Sequence, residues 1–532
     1  MKKPLVLHPF LFAIIPILFL YSHNMNELSI GELPLPLSLA AASSLLLWLL
    51  LALILRDRLR AALVASFFWI WFFSCGHLYS LFEAAVELHG AEKPLFLVPY
   101  FALLPGGAAF LILRRRDPGR LSSGLNIAAL LLLGWHLFTF GAYESKRILA
   151  DRRLRPPAAI EAAQKTQARP SPDIYYIILD GYARADILKE IYHYDNSDFV
   201  SFLTQKGFHV ARNSQANYCQ TMLSLASSLN LEYLDDVVAS VGPDFQGRQA
   251  LMRMIRFNRL FDFLRKRGYR LVAFPSGYGP TEMNFVEVQK FEVADFTQFQ
   301  EALLKTTPIS FFFSPKPRTV TRRRSVVQRM KSAPLSEGRA RRLLYTFDHL
   351  PDATQLKPPI FVFAHFVCPH PPFLFDRNGE KPGPKSHFVD WGDGNHFPGT
   401  RDEYVRNYRE QLLFVNDKMK RVVSQILAKS KEPPVIILQA DHGPGSRLDW
   451  DSAEKTYAKE RLTILLAYYL PGGEKLPTQD DLSPVNIFRL VLNHCFDANL
   501  EFLPNESFYS TWRKPYRFTR VTDRVNAGRK KR

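Results

Sequence analysis

The sequence predicts a five-helix transmembrane domain followed by an α/β domain with a mostly parallel sheet and helices on both faces. Five long apolar stretches lie before residue 145, and the rest of the chain alternates short apolar runs with amphipathic stretches. Apolar stretches of roughly 17–25 residues are typical of membrane helices, and strands separated by helices are typical of parallel sheets. The 532 residues are enough for both domains.

The apolar stretches and their loops predict a membrane topology. The stretches are Leu5–Tyr21, Leu33–Leu55, Ala61–Leu81, Pro94–Leu113 and Leu125–Ala142. Lys and Arg concentrate at residues 2–3 and in loops 56–60 and 114–120, whereas the alternate loops are acidic or nearly neutral. The positive-inside rule then places the amino terminus in the cytoplasm and everything after the fifth stretch outside. Basic residues at 146–147 and 152–153 are at odds with this orientation.

The expected domains are a transmembrane domain over 1–145, a linker over 146–172, a catalytic domain over 173–510 and a basic tail over 511–532. Continuous apolar runs predict strands that are covered on both faces. The predicted strands are Ile174–Leu179, Arg270–Phe274, Ile360–Phe366, Val435–Gln439 and Thr463–Tyr469. Helical apolar spacing predicts the helices Ser197–Lys206, Arg248–Arg267 and Tyr404–Lys429.

The formal net charge of +18 does not indicate a nucleic-acid partner. No zinc-finger spacing, aromatic RNA-binding signature or recognition-helix pattern accompanies it. Much of the charge lies in the cytoplasmic loops, in segment 318–342 and in residues 529–532. These segments are interpreted either as solvated loops or as contacts to anionic lipid or glycan.

Two predicted strands end on residue types that bind metals. Asp180-Gly181 follows the first strand, and Asp441-His442 follows the strand at Val435–Gln439. Open α/β sheets bind ligands at the carboxyl ends of their strands, and Asp with His suits zinc or manganese. The sequence therefore predicts one divalent metal site assembled from both strand ends.

A hydroxyl at the start of a small-residue helix is the candidate nucleophile. Thr221 lies about 40 residues after Asp180, where a loop enters that helix. Free N–H groups at a helix start favour an anionic phosphate, and a nearby metal activates a hydroxyl. A plain helix cap is the alternative role of Thr221. Ser224 or Ser227 takes its place if the helix starts later.

Four histidines are candidates for contact with a substrate. His365 and His370 flank the end of the strand Ile360–Phe366, and imidazole can give a proton to a leaving group near neutral pH. His387 and His396 lie in a loop rich in Gly and Pro and are candidate substrate ligands.

These motifs, in this order, resemble the alkaline phosphatase/sulfatase superfamily over about residues 173–508. With five preceding spans, the architecture is similar to lipoteichoic acid synthases and to the phosphoethanolamine and phosphoglycerol transferases of bacterial envelopes. The resemblance implies one zinc or manganese ion held by Asp180, Thr221, Asp441 and His442. It also implies Thr221 as the nucleophile and His370 as a substrate-binding or proton-donating group.

Departures from the superfamily patterns argue against a formylglycine sulfatase and against a second metal ion. Cys219-Gln-Thr-Met-Leu223 lacks the Pro and Arg of the formylglycine motif of true sulfatases, and no Asp-x-x-x-His element for a second metal precedes Asp441. The similar transferases often have Glu where this chain has Asp180.

The expected function is metal-dependent phosphoryl transfer to a bacterial envelope glycan or lipid through a phospho-threonine, with a membrane phospholipid as donor. The expected location is the bacterial inner membrane, with the catalytic domain on the extracytoplasmic side. A sulfatase or phosphodiesterase-type hydrolase of an envelope substrate is the alternative. A catalytically silent membrane sensor of the same fold is the second alternative.

Overall fold

A computed structural model of the chain divides it into two units. The first comprises Met1–Leu149 with Asp295–Leu335, and the second comprises Ala150–Ala294 with Ser336–Arg532. The structure describes residues 5–26, 28, 30–86, 93–113, 117–153, 160, 171–283, 286, 288–289, 297–313, 335–380, 392–473 and 479–527.

The first unit is built from apolar helices. Its amino-terminal helices α1 to α5 are His8–Asn24, Pro34–Leu55, Arg58–Val86, Lys93–Leu113 and Pro118–Arg153. Within the described residues, four segments are long and apolar enough to cross a membrane, and they are Ile30–Leu55, Arg58–Phe82, Leu95–Leu113 and Pro118–Lys146. Helix α1 coincides with the first predicted span, but its 17 residues are not among these four, so its crossing stays a prediction.

Further helices follow in chain order. Helices α6 to α11 are Ala185–Tyr192, Ser197–Gln205, Thr221–Asn230, Asp235–Val241, Gln249–Arg256 and Arg259–Arg265. Helices α12 and α13, in the first unit, are Gln298–Lys305 and Ile309–Phe313. Helices α14 to α18 are Leu335–His349, Arg401–Lys429, Ala458–Leu462, Pro484–Phe496 and Thr522–Val525.

The second unit has a seven-stranded sheet in the order β2-β7-β6-β1-β5-β3-β4. Strands β1 to β7 are Ile174–Leu179, His209–Val210, Arg270–Phe274, Val288–Gln289, Ile360–Phe366, Val435–Gln439 and Leu466–Tyr469. Strand β1 is central and pairs in parallel with β5 and β6, and β7 pairs antiparallel with β6. Phe508–Tyr509 (β8) and Thr519–Arg520 (β9) form a separate hairpin-like pair.

Each strand of the sheet centre is buried on both faces, as its apolar composition predicts. Tyr175, Ile177 and Leu179 of β1 join one core with helix α15. Ile174 and Tyr176 join the opposite core with helices α8 and α17. The predicted mostly parallel sheet with helices on both faces is therefore confirmed.

Two predicted helices differ from the observed ones at points set by capping. The predicted helix Arg248–Arg267 is two helices, because the Asn258 side chain accepts a hydrogen bond from Phe261 N and starts α11. Helix α15 begins at Arg401 rather than Tyr404, because Thr400 and Glu403 form a capping box ahead of it.

Candidate active site

The predicted ligands meet at the carboxyl edge of the sheet. Asp180 follows β1, His365 lies near the end of β5, and Asp441-His442 follows β6, which flanks β1 on the other side. Asp180 Oδ2 lies 3.3 Å from His365 Nε2, and Asp180 Oδ1 lies 3.6 Å from His442 Nε2. Asp441 Oδ2 is 3.3 Å from the same nitrogen of His442. The polar residues at the carboxyl ends of three neighbouring parallel strands, β5, β1 and β6, therefore lie close together.

Thr221 joins this cluster as the first residue of helix α8. Its Oγ1 lies 3.1 Å from His442 Nε2. Ser224 and Ser227 lie further along helix α8 and their side chains are buried, and Ser227 Oγ donates to Glu232 O at 2.6 Å. The hydroxyl at the helix start is therefore Thr221, where the free N–H groups of the first turn favour negative charge.

The donor set fits a divalent cation. Asp180 Oδ1, His365 Nε2 and Asp441 Oδ2 are buried and have no hydrogen-bond partner among the described residues. Such orphaned atoms are costly unless something satisfies them. Ligand atoms of Asp180, His370 and His442 lie within 4.8 Å of one another, as do those of Asp180, His365 and Asp441. Carboxylate oxygens with imidazole nitrogens suit zinc or manganese.

His442 is held as a neutral imidazole. Its Nδ1 lies 2.9 Å from Gly443 O and donates to that carbonyl, which leaves the lone pair on Nε2, facing Thr221, Asp180 and Arg461 Nη2. Burial, reinforced by the Arg461 guanidinium, lowers the pKa of His442 to about 3. A neutral ring whose other nitrogen is fixed by a carbonyl is the form in which histidine binds metals.

His370 has the opposite electrostatics. Burial opposes its charge, but Asp180 and Asp393 overcome that effect and raise the pKa of His370 to about 9. Its Nδ1 donates to Pro371 O, and Nε2 lies 3.4 Å from Asp393 Oδ2. Burial likewise opposes ionisation of Asp180, yet the nearby His370 and His365 lower its pKa. His370 is therefore a cation beside the ligand cluster, 5.8 Å from His442 between ring centroids.

A buried ion pair between Asp393 and Arg461, which the sequence does not predict, contacts both histidines. Arg461 is 2% exposed, and its Nη1 donates to Asp393 Oδ2 at 2.5 Å and to Gly443 O at 3.0 Å. Its Nη2 lies 3.2 Å from His442 Nε2. Tyr404 also donates to Asp393, at 2.8 Å. Neither residue carried a signal, because Arg461 sits in a charged run that looks solvated and Asp393 in a polar loop.

The segment before Thr221 is held by residues from β8 and the chain after it. Phe508 N donates to Asn217 O at 2.9 Å, and Ser510 N donates to Cys219 Sγ at 3.4 Å. The Gln220 amide donates to Ser510 Oγ at 2.9 Å and to Thr511 O at 3.2 Å. These contacts fix the entry of helix α8 and thereby the position of Thr221.

Two glycines after His442 permit close backbone approach rather than an unusual turn. A Cβ on Gly443 would lie 2.1 Å from Glu460 O, and one on Gly445 would lie 2.4 Å from Asp393 Oδ1. Gly443 N donates to Arg461 O at 2.7 Å, which ties the loop after β6 to helix α16. The Gly-Pro-Gly sequence therefore lets the Asp393–Arg461 pair lie directly against the loop that follows Asp441-His442.

The remaining predicted residues divide between the cluster and its surroundings. His365 lies in the cluster, and its Nδ1 is 2.9 Å from Thr281 Oγ1. His396 is exposed in the short turn after Asp393 and does not join the cluster. His387 lies outside the described residues.

Comparison with known families gives the classification. The family model described as Sulfatase matches residues 172–494, which is more than half of the chain. The chain belongs to the sulfatase family. The match spans Asp180, Thr221, His365, His370 and the Asp441-His442 pair.

Several solved structures are similar to this chain. Lipooligosaccharide phosphoethanolamine transferase A (EptA) from Neisseria meningitidis is 13% identical, with 92% of this chain and 95% of that chain covered and a TM-score of 0.40. The periplasmic domain of EcEptC from Escherichia coli, in complex with Zn, is 12% identical over 69% of this chain and 96% of its own, with a TM-score of 0.41. A phosphonate monoester hydrolase of Agrobacterium radiobacter is 12% identical over 64% and 80%, with a TM-score of 0.37. No curated protein sequence matches this chain.

Proposed function

We propose that this sulfatase-family protein transfers a phosphoryl-containing headgroup from a membrane phospholipid to a bacterial envelope glycan or lipid through a phospho-threonine at Thr221. One observation carries the proposal: the Thr221 hydroxyl lies at the start of a helix, 3.1 Å from His442 Nε2, beside two carboxylates with orphaned oxygens. Helix start and ligand cluster together favour an alkoxide and a bound phosphate.

Phosphoryl rather than sulfate-ester chemistry fits the nucleophile. Formylglycine forms from Cys or Ser, and the residue at the metal cluster is Thr221. Cys219, two residues earlier, is fully buried with its sulfur against Ser510, away from the ligand atoms. The site therefore offers a hydroxyl nucleophile that needs no prior oxidation.

Asp180, Thr221, Asp441 and His442 would hold one divalent ion, zinc or manganese. When bound, such an ion supplies positive charge that stabilises the Thr221 oxyanion and the charge developing on the phosphoryl oxygens. The chain's own groups do the rest. Thr221 Oγ, its proton lost to solvent, forms a bond to phosphorus as the bond from phosphorus to the departing alcohol oxygen breaks. The His370 imidazolium, whose Nε2 lies 3.4 Å from Asp393 Oδ2, gives the alcohol its proton. An acceptor hydroxyl then forms a bond to phosphorus as the bond from phosphorus to Thr221 Oγ breaks, and the acceptor proton passes to the His370 ring that gave up its own proton in the first step.

The first unit supports a lipid donor and an envelope location. Its four helices that are apolar enough to cross a bilayer confine the chain to a membrane, where a lipid headgroup is presented at high effective concentration. The charge asymmetry of the loops supports an inner-membrane orientation with five crossings and the second unit on the extracytoplasmic side.

The test is intact-mass analysis of the full chain in nanodiscs that contain phosphatidylethanolamine or phosphatidylglycerol, with metal content measured in parallel. The expected result is a phosphoethanolamine or phosphoglycerol adduct on the protein at low temperature. Thr221→Ala and chelation should each abolish the adduct. Thr204→Ala is the matched control, because that hydroxyl lies on an exposed helix surface and donates to Val200 O.

The other outcomes separate the alternatives. Metal binding with release of free headgroup and no transfer to an acceptor identifies the hydrolase. Metal binding with neither adduct nor product contradicts the proposed donor. Absence of bound metal contradicts the site assignment and leaves the membrane sensor.

A further inference from the structure

A segment that lies between two parts of the second unit in sequence is part of the first unit in space. The chain leaves the second unit after Ala294, runs through Asp295–Leu335 within the first unit, and returns at Ser336. The described part, 297–313, contains α12 and α13. The sequence predicts this stretch as part of the catalytic domain, residues 173–510, and its composition does not mark it as a membrane segment.

The start of the segment is tied to helices α1 and α3 and to the loop before α2. Thr297 caps α12 and donates through Oγ1 to Glu32 Oε2 at 2.6 Å. Phe299 is 2% exposed and lies edge-on to Tyr21, with ring centroids 6.2 Å apart. Trp69 and Phe73 of α3 belong to the same apolar cluster.

The middle of the segment makes a close backbone contact with α3. Gly76 N donates to Thr306 O at 3.0 Å. A Cβ at Gly76 would lie 2.1 Å from Lys305 O, so this approach requires glycine. Gly76 lies six residues inside the carboxyl end of the candidate span Arg58–Phe82, which corresponds to about 9 Å along a helix axis. The contact therefore lies within the segment that is long and apolar enough to cross a bilayer.

The end of the segment continues along the same side. The Phe311 ring lies 4.9 Å from that of Tyr79, edge-on, and 6.4 Å from that of Phe96 at the start of α4. The contacts with α3 and α4 thus lie toward the carboxyl end of α3 and the amino end of α4, and those with α1 toward its carboxyl end. The loop charges assign all these ends to the outer face.

Three hydroxyl side chains of the segment are hydrogen-bonded to nearby backbone carbonyls. Thr306 Oγ1 donates to Leu303 O at 2.7 Å, Thr307 Oγ1 to Leu304 O at 2.8 Å, and Ser310 Oγ to Thr307 O at 2.9 Å. Irregular backbone at membrane depth is tolerated where protein covers it and its polar groups are paired. The three hydroxyl groups are paired in this way.

We propose that Thr297–Phe311 is a second membrane-attachment element, a re-entrant segment held by α1, α3 and α4 in the outer leaflet of a phospholipid bilayer. The chain is then anchored on both sides of the residues that supply Asp180 and Thr221. The catalytic unit stays on the membrane even when the connection that follows α5 is cut. The proposal does not depend on the reaction that the protein catalyses.

The test is a protease site inserted in the linker 161–170 of the full chain in proteoliposomes. After cleavage, the membranes are washed with alkaline carbonate, and the fragment that contains Asp180 is measured in the pellet and the supernatant. The expected result is a fragment that stays in the pellet. Gly76→Val places a side chain against Lys305 O and should push the segment off α3. The ratio of fragment in the supernatant to fragment in the pellet should then rise about tenfold or more, because the buried contacts of Phe299 and Phe311 that hold the fragment are lost.

Gly134→Val in α5 is the matched control, because a Cβ there meets nothing within 4 Å, and it should leave the fragment in the pellet. If Gly76→Val fails to assemble, the double variant Phe299→Ser with Phe311→Ser replaces it, paired with Phe257→Ser on the exposed surface of the second unit. Release of the unmodified fragment by cleavage alone overturns the proposal. Retention of the fragment in both the glycine and the phenylalanine variants also overturns it.

Discussion

The two sides of the ligand cluster carry the same residue type in opposite states. On the β6 side, His442 faces Arg461 and has a pKa lowered to about 3 by burial and that guanidinium. On the β5 side, His370 faces Asp180 and Asp393, which outweigh burial and raise its pKa to about 9. Burial is common to both, so the sign of the neighbouring charge decides which imidazole is neutral and which is a cation. The neutral ring suits a metal, and the cation suits a phosphate or a leaving group.

The largest expected effect comes from removing either imidazole by mutation. His370→Gln should lower kcat by about 10²–10⁴-fold, the usual contribution of a general acid, while metal affinity is unchanged. His442→Ala should lower metal affinity by more than about 100-fold, beyond what the loss of an outer-shell partner costs. Both are measured by headgroup transfer from nanodiscs and by metal titration of the stripped protein.

The division of roles makes these two variants each other's control. Metal affinity that falls equally in both would show that His370 is a ligand, and the contrast between the two rings would then disappear. Unchanged kcat in His370→Gln would remove its assignment as the proton donor.

A smaller effect is expected in the pH dependence of stability. Because the pKa of His370 is raised from an ordinary value of about 6.5 to about 9, its charge stabilises the folded state fully below pH 6.5. That stabilisation, on the order of 3 kcal/mol, is lost as pH rises through 9. Thermal melting of the metal-stripped protein between pH 6.5 and 9.5 should show the decline. A decline of the same size in His370→Gln would assign it to another group.

The smallest expected effect is a change in the free energy of unfolding, which tests how much the Asp393 carboxylate of the Asp393–Arg461 pair contributes. Tyr404→Phe removes a donor to the Asp393 carboxylate and the acceptor of Gly445 N, and should destabilise the protein by about 1–3 kcal/mol. Tyr408→Phe removes bonds to the backbone of Gly181 and Ala183 only, and should cost about 0.5–1.5 kcal/mol. Chemical denaturation measures both, and an equal cost would show that the charge on Asp393 adds nothing.

The strand ends of the site follow directly from the sequence. Asp180, His365 and Asp441-His442 each end or follow an apolar run, and neighbouring parallel strands bring such ends together. Thr221 is equally local, because a loop entering a small-residue helix places a hydroxyl at the helix start.

The rest depends on packing that no local pattern encodes. Asp393 and Arg461 are 68 residues apart and pair only because Gly443 and Gly445 let their loops approach. The contact between Gly76 and Thr306 joins an apolar helix to a stretch some 230 residues later whose sequence is that of an ordinary amphipathic helix. A glycine in an apolar helix does not reveal which backbone approaches it.

The contacts that hold the entry of helix α8 also set an order of assembly. Cys219 is separated from its partner Ser510 by 291 residues, and Asn217 from Phe508 by as many. A chain that emerges from the ribosome in sequence order presents Thr221 long before either partner exists. Thr221 therefore reaches its final position only after the chain has been made as far as Ser510, and the cluster around it forms late in biosynthesis.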